Sequence, residues 1–565
     1  MKRALRFLLS RPALLASGLV LAALAPAQQE PTSPIRFELH RLPFHLQSDE
    51  SQARNVPETM AGGVAVFDYN GDGRPDIFFA NGADLATLKK SDPKYSNRLF
   101  RNDGNGVFTD VTAAAGLKGT GFDVGVAVGD YNNDGHPDLF VTGVHGNTLY
   151  RNNGDGTFTD VTRKAGLDQW NDPEYGPLWA VAAAWVDVNN DGLLDLFVVN
   201  YVSWTYSDKP LCMVDTVSEY CHPRFYKPLP DQLFINQGDG TFKDESKQWG
   251  IRSHPGKGMG VGVADYDLDG RPDLFVTNDA GYDFLFHNLG DKFEEVAFQT
   301  NAALPEEGSF ISGMGLDFRD YNNDGYPDIA YVALNRQTFP ILQNTGHGDF
   351  VEVTASSGMG AQTLNMAGFG PALYDFDNDG WKDLFVSRGH VSATHPPGAT
   401  VQQPNTIFRN LGASGKWQPL TEEAGFVPAT ASRHRGCAFG DFDGDGRVDI
   451  VVSSMDQDAE LWMNRSPRSG HWLEFVLRGV KSNRDGMGAR IKVVSKSGTQ
   501  YNHQTSSVGY ASSSLGPVHF GLASDTEAAK VEITWPSGIV QTLEHVAADR
   551  IVKVKEQVAA PAPAK

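Results

Sequence analysis

The sequence predicts an all-β protein: a seven-bladed β-propeller with a small C-terminal β-sandwich-like domain. Three observations carry this expectation. A nine-residue acidic loop recurs seven times, a Gly-rich hairpin signal alternates with it, and residues 466–556 hold alternating apolar runs without either motif. The chain of 565 residues is too long for one ordinary core, and Gly 60 and Pro 31 suit many short strands joined by tight turns.

The acidic loop reads DYNGDGRPD from Asp68, DYNNDGHPD from Asp130, DVNNDGLLD from Asp187 and DYDLDGRPD from Asp265. It continues as DYNNDGYPD from Asp320, DFDNDGWKD from Asp375 and DFDGDGRVD from Asp441. Positions 1, 5 and 9 are always Asp, position 3 is Asp or Asn, and position 6 is always Gly. Oxygens at 1, 3 and 5 can converge when the chain turns sharply at the glycine. The carbonyl at 7 and the Asp at 9 complete an array of hard oxygen ligands suited to Ca²⁺.

The candidate ligands are therefore Asp68, Asn70, Asp72, Arg74 and Asp76; Asp130, Asn132, Asp134, His136 and Asp138; and Asp187, Asn189, Asp191, Leu193 and Asp195. The later loops add Asp265, Asp267, Asp269, Arg271 and Asp273; Asp320, Asn322, Asp324, Tyr326 and Asp328; Asp375, Asp377, Asp379, Trp381 and Asp383; and Asp441, Asp443, Asp445, Arg447 and Asp449. The residues at position 7 share no side-chain chemistry, as expected where only the carbonyl is used.

An EF-hand begins in the same way but requires a bidentate Glu at position 12 and flanking helices. Position 12 here is Phe79, Val141, Val198, Val276, Tyr331, Val386 and Val452, and the flanks read as strands. EF-hands are excluded. Turn chemistry alone also favours Asp, Asn and Gly, but three converging carboxylates repeated seven times repel one another unless a cation sits among them. The loops hold 24 carboxylates, so up to seven structural Ca²⁺ are expected.

The second motif reads LFRNDGNGVF from Leu99, LYRNNGDGTF from Leu149 and LFINQGDGTF from Leu233. Weaker copies start at Leu285, Leu342, Ile407 and Leu461. Two turns per repeat predict a four-stranded sheet, and seven such sheets stacked radially bury faces that one alone cannot. Small residues five positions before each loop (Gly63, Gly125, Ala182, Gly260, Gly315, Gly370, Gly436) predict crowded backbones about a central channel. The same alignment assigns Cys437 to an apolar packing slot. The segment from Ile35 to Met60 lacks a hairpin and is a candidate for the strand that closes the ring.

The N-terminus has a basic start (Lys2, Arg3, Arg6, Arg11), an apolar run from Ala13 to Ala25 and a small-residue site at Ala25-Pro26-Ala27. Residues 1–27 thus read as a cleavable signal peptide, the alternative being an uncleaved anchor, and the product is expected to be secreted or periplasmic without a membrane span. Cleavage would remove four positive charges and take the formal charge from -21 to -25, which disfavours nucleic acid or anionic lipid as partners. In an exported chain the even pair Cys212 and Cys221 reads as a disulfide closing a surface insertion, with His222 a loop residue.

Together these residues resemble the FG-GAP/VCBS repeats of integrin α-subunit propellers. Across nearly the whole mature chain the arrangement is similar to the cartilage acidic protein family, whose bacterial members end in an ASPIC/UnbV domain. The C-terminal strings KSNRDGMGAR from Lys481, VHFGL from Val518 and WPSG from Trp535 carry that part of the resemblance. It implies a calcium-binding extracellular or periplasmic protein. The expected organisation is a signal peptide (1–27), a propeller (28–465), an ASPIC/UnbV domain (466–556) and a disordered tail (557–565).

The function expected is a calcium-stabilised scaffold that binds an unidentified protein or glycan opposite or beside the metal loops. Trp204, Tyr206, Tyr220, Phe225 and Tyr226 of the insertion are either contacts or packing residues. Arg484, Asp485 and Arg490 form either a salt-bridged turn or a recognition cluster. The alternatives are a polysaccharide lyase or glycosidase and a purely structural matrix protein; no GxSxG, HExxH, CxxCH or phosphate loop is present to support catalysis.

Overall fold

The structure, a computed structural model, describes residues 33–394, 398–467 and 470–558. The expected signal peptide and residues 559–565 of the expected tail lie outside them. The described residues contain seven antiparallel units of four strands. In each, one strand enters an acidic loop and the next leaves it, and in the first six the Gly-rich hairpin joins the third strand to the fourth, as in Val64–Phe67, Asp76–Phe79, Arg98–Gly104 and Val107–Asp110.

The strands that enter the loops lie side by side in ring order, and the seventh of them, His434–Gly440, meets the first, Val64–Phe67. The result is a β-propeller. Its seventh unit takes its outermost strand from the chain's start: Phe37–His45 pairs antiparallel with Asp458–Asn464, from Phe37 opposite Asn464 to His45 opposite Asp458. The candidate closing segment therefore closes the ring.

Residues His471 to Lys555 form two sheets. Val518–Ala523, His471–Arg478 and Arg550–Lys555 make one; Thr499–His503, Arg490–Val494, Glu527–Thr534 and Val540–Ala547 make the other. Leu473, Phe475, Ile491, Phe520, Ile533 and Trp535 are buried in the core they share, giving the expected sandwich-like unit.

This unit also fills the propeller's axis, which the sequence did not announce. Between its two sheets the chain runs through residues 504–516, and Ser512–Leu515 adds to the first propeller sheet in parallel, Ala65 opposite Ser513. The Gly509 N–H donates to the Leu316 carbonyl at 2.9 Å and the Leu316 N–H to the Gly509 carbonyl at 3.1 Å. The Val126 N–H donates to the Ala511 carbonyl at 3.0 Å. Serine hydroxyls complete the seam. Ser506 Oγ donates to the Val128 carbonyl at 2.8 Å, while Ser512, Ser513 and Ser514 Oγ accept from the N–H groups of Val64, Val128 and Phe439.

The small residues beside the axis are explained by this approach. A Cβ on Gly315 would stand 2.5 Å from the Gly509 carbonyl, and one on Gly63 2.3 Å from that of Ala511. Cys437 is buried beside Gly370, and burial pushes its thiol pKa up, so it is packing material as expected.

Candidate metal centres

Each acidic loop is shaped by its own carboxylates and amides. In all seven, an oxygen of the position-1 Asp accepts the position-6 N–H, as in Gly73 to Asp68 at 2.7 Å and Gly380 to Asp375 at 2.7 Å. The position-5 Asp accepts the position-7 N–H in every loop, at 2.9 to 3.0 Å. The position-9 Asp accepts the N–H of an asparagine in the hairpin of the same sheet, as in Asn102 to Asp76 at 2.7 Å and Asn464 to Asp449 at 2.6 Å.

These bonds leave oxygens facing one another. In the fourth, sixth and seventh loops, where position 3 is Asp, carboxylate oxygens of positions 1, 3 and 9 gather within 4.8 Å: Asp265, Asp267 and Asp273; Asp375, Asp377 and Asp383; Asp441, Asp443 and Asp449. In the first, second, third and fifth loops position 3 is Asn70, Asn132, Asn189 and Asn322. There the Asn oxygen accepts the position-5 N–H at 2.9 to 3.0 Å and so occupies the same turn. Asp265 Oδ1, Asp377 Oδ1 and Asp138 Oδ2 are buried without a hydrogen-bond partner. Orphaned carboxylate oxygens within an all-oxygen donor set fit a hard divalent cation.

The electrostatics agree. Burial pushes Asp130 and Asp187 up to about 7 and Asp265, Asp320 and Asp441 up to about 6, aided at Asp130 by Asp485 of the sandwich and at the other four by the position-5 Asp of the same loop. Burial likewise carries Asp76 and Asp273 to about 7 and Asp138, Asp195, Asp328, Asp375, Asp383 and Asp449 well above the usual carboxylate range. Without a cation these positions escape charge repulsion only by holding protons.

Sequence reasoning missed two contributors. The hairpin asparagine is more than a turn residue. Its side-chain amide donates to the carbonyl of loop position 2 in the preceding sheet: Asn152 to Tyr69 (2.9 Å), Asn236 to Tyr131, Asn288 to Val188, Asn344 to Tyr266, Asn410 to Tyr321, Asn464 to Phe376 and, closing the circle, Asn102 to Phe442 (3.0 Å). Its place in all seven hairpin copies was the available signal. The side chains at position 7 also have a use beyond the carbonyl. His136, Leu193, Tyr326 and Trp381 lie against the hairpin glycines Gly154, Gly238, Gly346 and Gly412.

The C-terminal sandwich sits on this rim. Asp485 Oδ2 accepts the Asp130 N–H at 2.7 Å, and Asn133 Oδ1 accepts the Arg484 N–H at 2.8 Å. Lys382 Nζ donates to the carbonyls of both Asp320 and Tyr501, and the Ala523 N–H donates to the Asn378 carbonyl at 2.8 Å. The Arg484–Asp485–Arg490 cluster is thus not a salt-bridged turn. Asp485 accepts from the second loop with Arg484 acting on it only through space, and among the described residues neither Arg484 nor Arg490 has a carboxylate within 4 Å.

In the insertion, Cys212 and Cys221 form a disulfide, with Cα atoms 5.3 Å apart. His222 Nδ1 accepts the Arg224 N–H, a local turn contact. Trp204 and Tyr226 are buried, which removes them as partner contacts, whereas Tyr206 and Phe225 are exposed. Tyr220 is half-buried, its hydroxyl 3.1 Å from Glu50 and 3.2 Å from Glu58.

A ring of acidic-loop sheets, each tied to its neighbour and capped by a sandwich, defines a tandem-repeat propeller. The chain belongs to the FG-GAP-like repeat family, whose model matches residues 68–141, 130–198, 227–276, 265–331, 320–386 and 394–452. The ASPIC and UnbV model matches residues 479–561. The chain is similar to Cartilage acidic protein 1 of Homo sapiens, 27% identical over 369 residues (63% of this chain, 50% of that one), and of Xenopus tropicalis, 26% identical over 375 residues (64% and 52%). It therefore spans about half the length of these relatives. Similar solved structures include an Agrocybe aegerita lectin that recognises non-reducing terminal N-acetylglucosamine (TM-score 0.41, 16% identity, 71% of this chain and 87% of that one). Another is an exotype rhamnogalacturonan lyase (TM-score 0.37, 12% identity, 77% and 76%).

Proposed function

We propose that the chain is a calcium-loaded scaffold, exported to the periplasm or beyond the cell, that binds a protein or glycan through the propeller face away from its acidic loops. The cation's part is structural. Asp68 to Asp76 and the six equivalent loops would hold it, and a bound divalent ion would replace protons and repulsion with coordination.

The observation that carries the binding reading is an exposed apolar crest on the insertion. Strand Asp195–Asn200 leaves the third acidic loop, so the chain from Tyr201 to Pro230 emerges at the opposite end of its sheet. There Leu211 is 82% exposed, Met213 56% and Phe225 53%, with Val214, Val217 and Tyr206 about half exposed. The disulfide braces this hairpin. Glu219 fastens it to the Ala393 and Thr394 N–H groups at 2.7 and 3.1 Å. A braced patch of apolar side chains marks an interaction site more than a stray loop and favours a protein partner over a glycan. The disulfide also supports an oxidising compartment. Among the described residues no helix is long and apolar enough to cross a membrane.

Two experiments test the reading. Metal analysis should find several Ca²⁺ per chain, and chelation should lower the melting temperature sharply. At about a hundredfold excess over its dissociation constant each site contributes about 2.7 kcal/mol, so a melt indifferent to chelator overturns the structural-metal part. Binding to protein and glycan arrays should be lost in a Leu211→Asp, Val217→Asp double variant whose melt is unchanged. Binding that survives the double variant overturns the crest as the contact surface.

A further inference from the structure

Where the sandwich rests on the propeller it leaves a cleft of about 210 Å³ beside the fourth acidic loop. One wall is the four-stranded sheet. Arg490 pairs with both His503 and Thr534, and Lys492 pairs with Tyr501. Residues 490 and 492 share a face, and directly paired residues share it too, so Arg490 and Tyr501 project to the same side. Both line the cleft together with Met487, Trp535 and Pro536, while Leu268 faces them from the acidic loop.

Two donors on this wall have no acceptor. Among the described residues the Arg490 guanidinium makes no hydrogen bond and has no carboxylate within 4 Å, unlike Arg409, which lies 2.8 Å from Asp377 and 2.6 Å from Asp379. The Tyr501 hydroxyl has no partner either. Asp265 of the fourth loop acts on the half-buried Arg490 through space without closing to an ion pair, so the planar guanidinium fork stays open to a carboxylate or phosphate.

We propose that this cleft binds a small organic carboxylate, with the carboxylate on Arg490 and Tyr501 and an apolar body between Met487, Pro536 and Leu268. The choice of class follows from the walls. The volume equals the liquid share of roughly seven waters, which suits a ligand on the order of ten non-hydrogen atoms. Apolar side chains prefer a hydrocarbon body to a polyhydroxylated one. Asp187, Asp265, Asp269 and Asp320 also line the cleft and oppose a dianion such as phosphate more strongly than a monoanion. The site is separate from the insertion crest and does not depend on the scaffold reading.

The test is calorimetric titration of the full, calcium-saturated chain with phenylacetate, with inorganic phosphate and glucose as comparators. Saturable binding of phenylacetate is expected, at least tenfold weaker in Arg490→Gln and severalfold weaker in Tyr501→Phe, with melt and calcium content unchanged. If Arg490→Gln does not fold, Tyr501→Phe carries the comparison, because removing one hydroxyl leaves the cleft intact. The proposal is overturned if no saturable phenylacetate binding occurs up to millimolar concentration, if phosphate binds equally well, or if the folded variants keep the parent's affinity. A loss of calcium rather than of phenylacetate binding in Arg490→Gln would show that the arginine only balances the fourth loop's charge.

Discussion

Position 4 of each acidic loop is left-handed: Gly71, Asn133, Asn190, Leu268, Asn323, Asn378 and Gly444 all have φ between 56° and 75°. Gly and Asn adopt this conformation readily, whereas a leucine there is strained by about 1–2 kcal/mol. Leu268→Asn should therefore stabilise the calcium-loaded protein by about 1 kcal/mol in denaturant titration, and no gain would mean that Leu268's contacts in the cleft offset its strain. Position 4 was illegible in the sequence because Gly, Asn and Leu share no side-chain function; only the backbone is selected. The acidic positions were legible because carboxylates at 1, 5 and 9 have one joint use. The hairpin asparagine lay between, visible as a repeat but opaque in purpose. Asn152 is buried, donates to Tyr69 and Pro137 and accepts from Gly154. Asn152→Ala should cost about 3 kcal/mol, as expected when several buried backbone groups lose a partner; a cost below 1 kcal/mol in the same titration would remove its role as the tie between sheets.

Within the sheets, one position shows how an element adapts to burial. At the start of the third strand Asn97 and Asn405 accept the N–H of Asn81 and Arg388 in the first and sixth sheets. The third and fourth sheets place carboxylic acids there: Asp231 accepts from Asn200 at 2.9 Å and Asp283 from Asn278 at 2.7 Å. Burial pushes both up to about 8. The folded state therefore holds two protons that the unfolded chain releases near pH 4. Their contribution is fully present below that value and is lost as pH rises through about 8. The parent should lose stability from pH 6 to 9 with calcium saturating, and Asp231→Asn with Asp283→Asn should flatten that slope. An unchanged slope would place the titration elsewhere. Strand count and loop placement were readable from local motifs. The strand Phe37–His45 was only a candidate, because its partner Asp458–Asn464 lies at the far end of the chain and long-range pairing leaves no local pattern.

At the scale of the molecule the sandwich and the propeller form one object. Residues 504–516 (QTSSVGYASSSLG) resemble a Ser/Gly linker, yet they are mostly buried along the axis because small hydroxyl side chains alone can reach the backbones crowded there. Composition misleads at that point, since the same residues suit an exposed turn and a close backbone approach. The sandwich also reads the shape of the loops through their backbone, at the Asp130 N–H and the Asp377 and Asn378 carbonyls, while Lys382 of the sixth loop bridges the Asp320 carbonyl to that of Tyr501. On the proposed calcium reading, removing the cation would open the loop and withdraw those groups together. Chelation should therefore raise amide hydrogen exchange at Gly509 and in Ser512–Leu515 before it reaches the outer strands of the propeller. Gly315→Val should raise the same exchange even with calcium present, because any Cβ there meets the Gly509 backbone at 2.5 Å. If the axial segment keeps its protection in both cases, it is held by the sandwich alone, and the acidic loops do not govern how the two parts stay together.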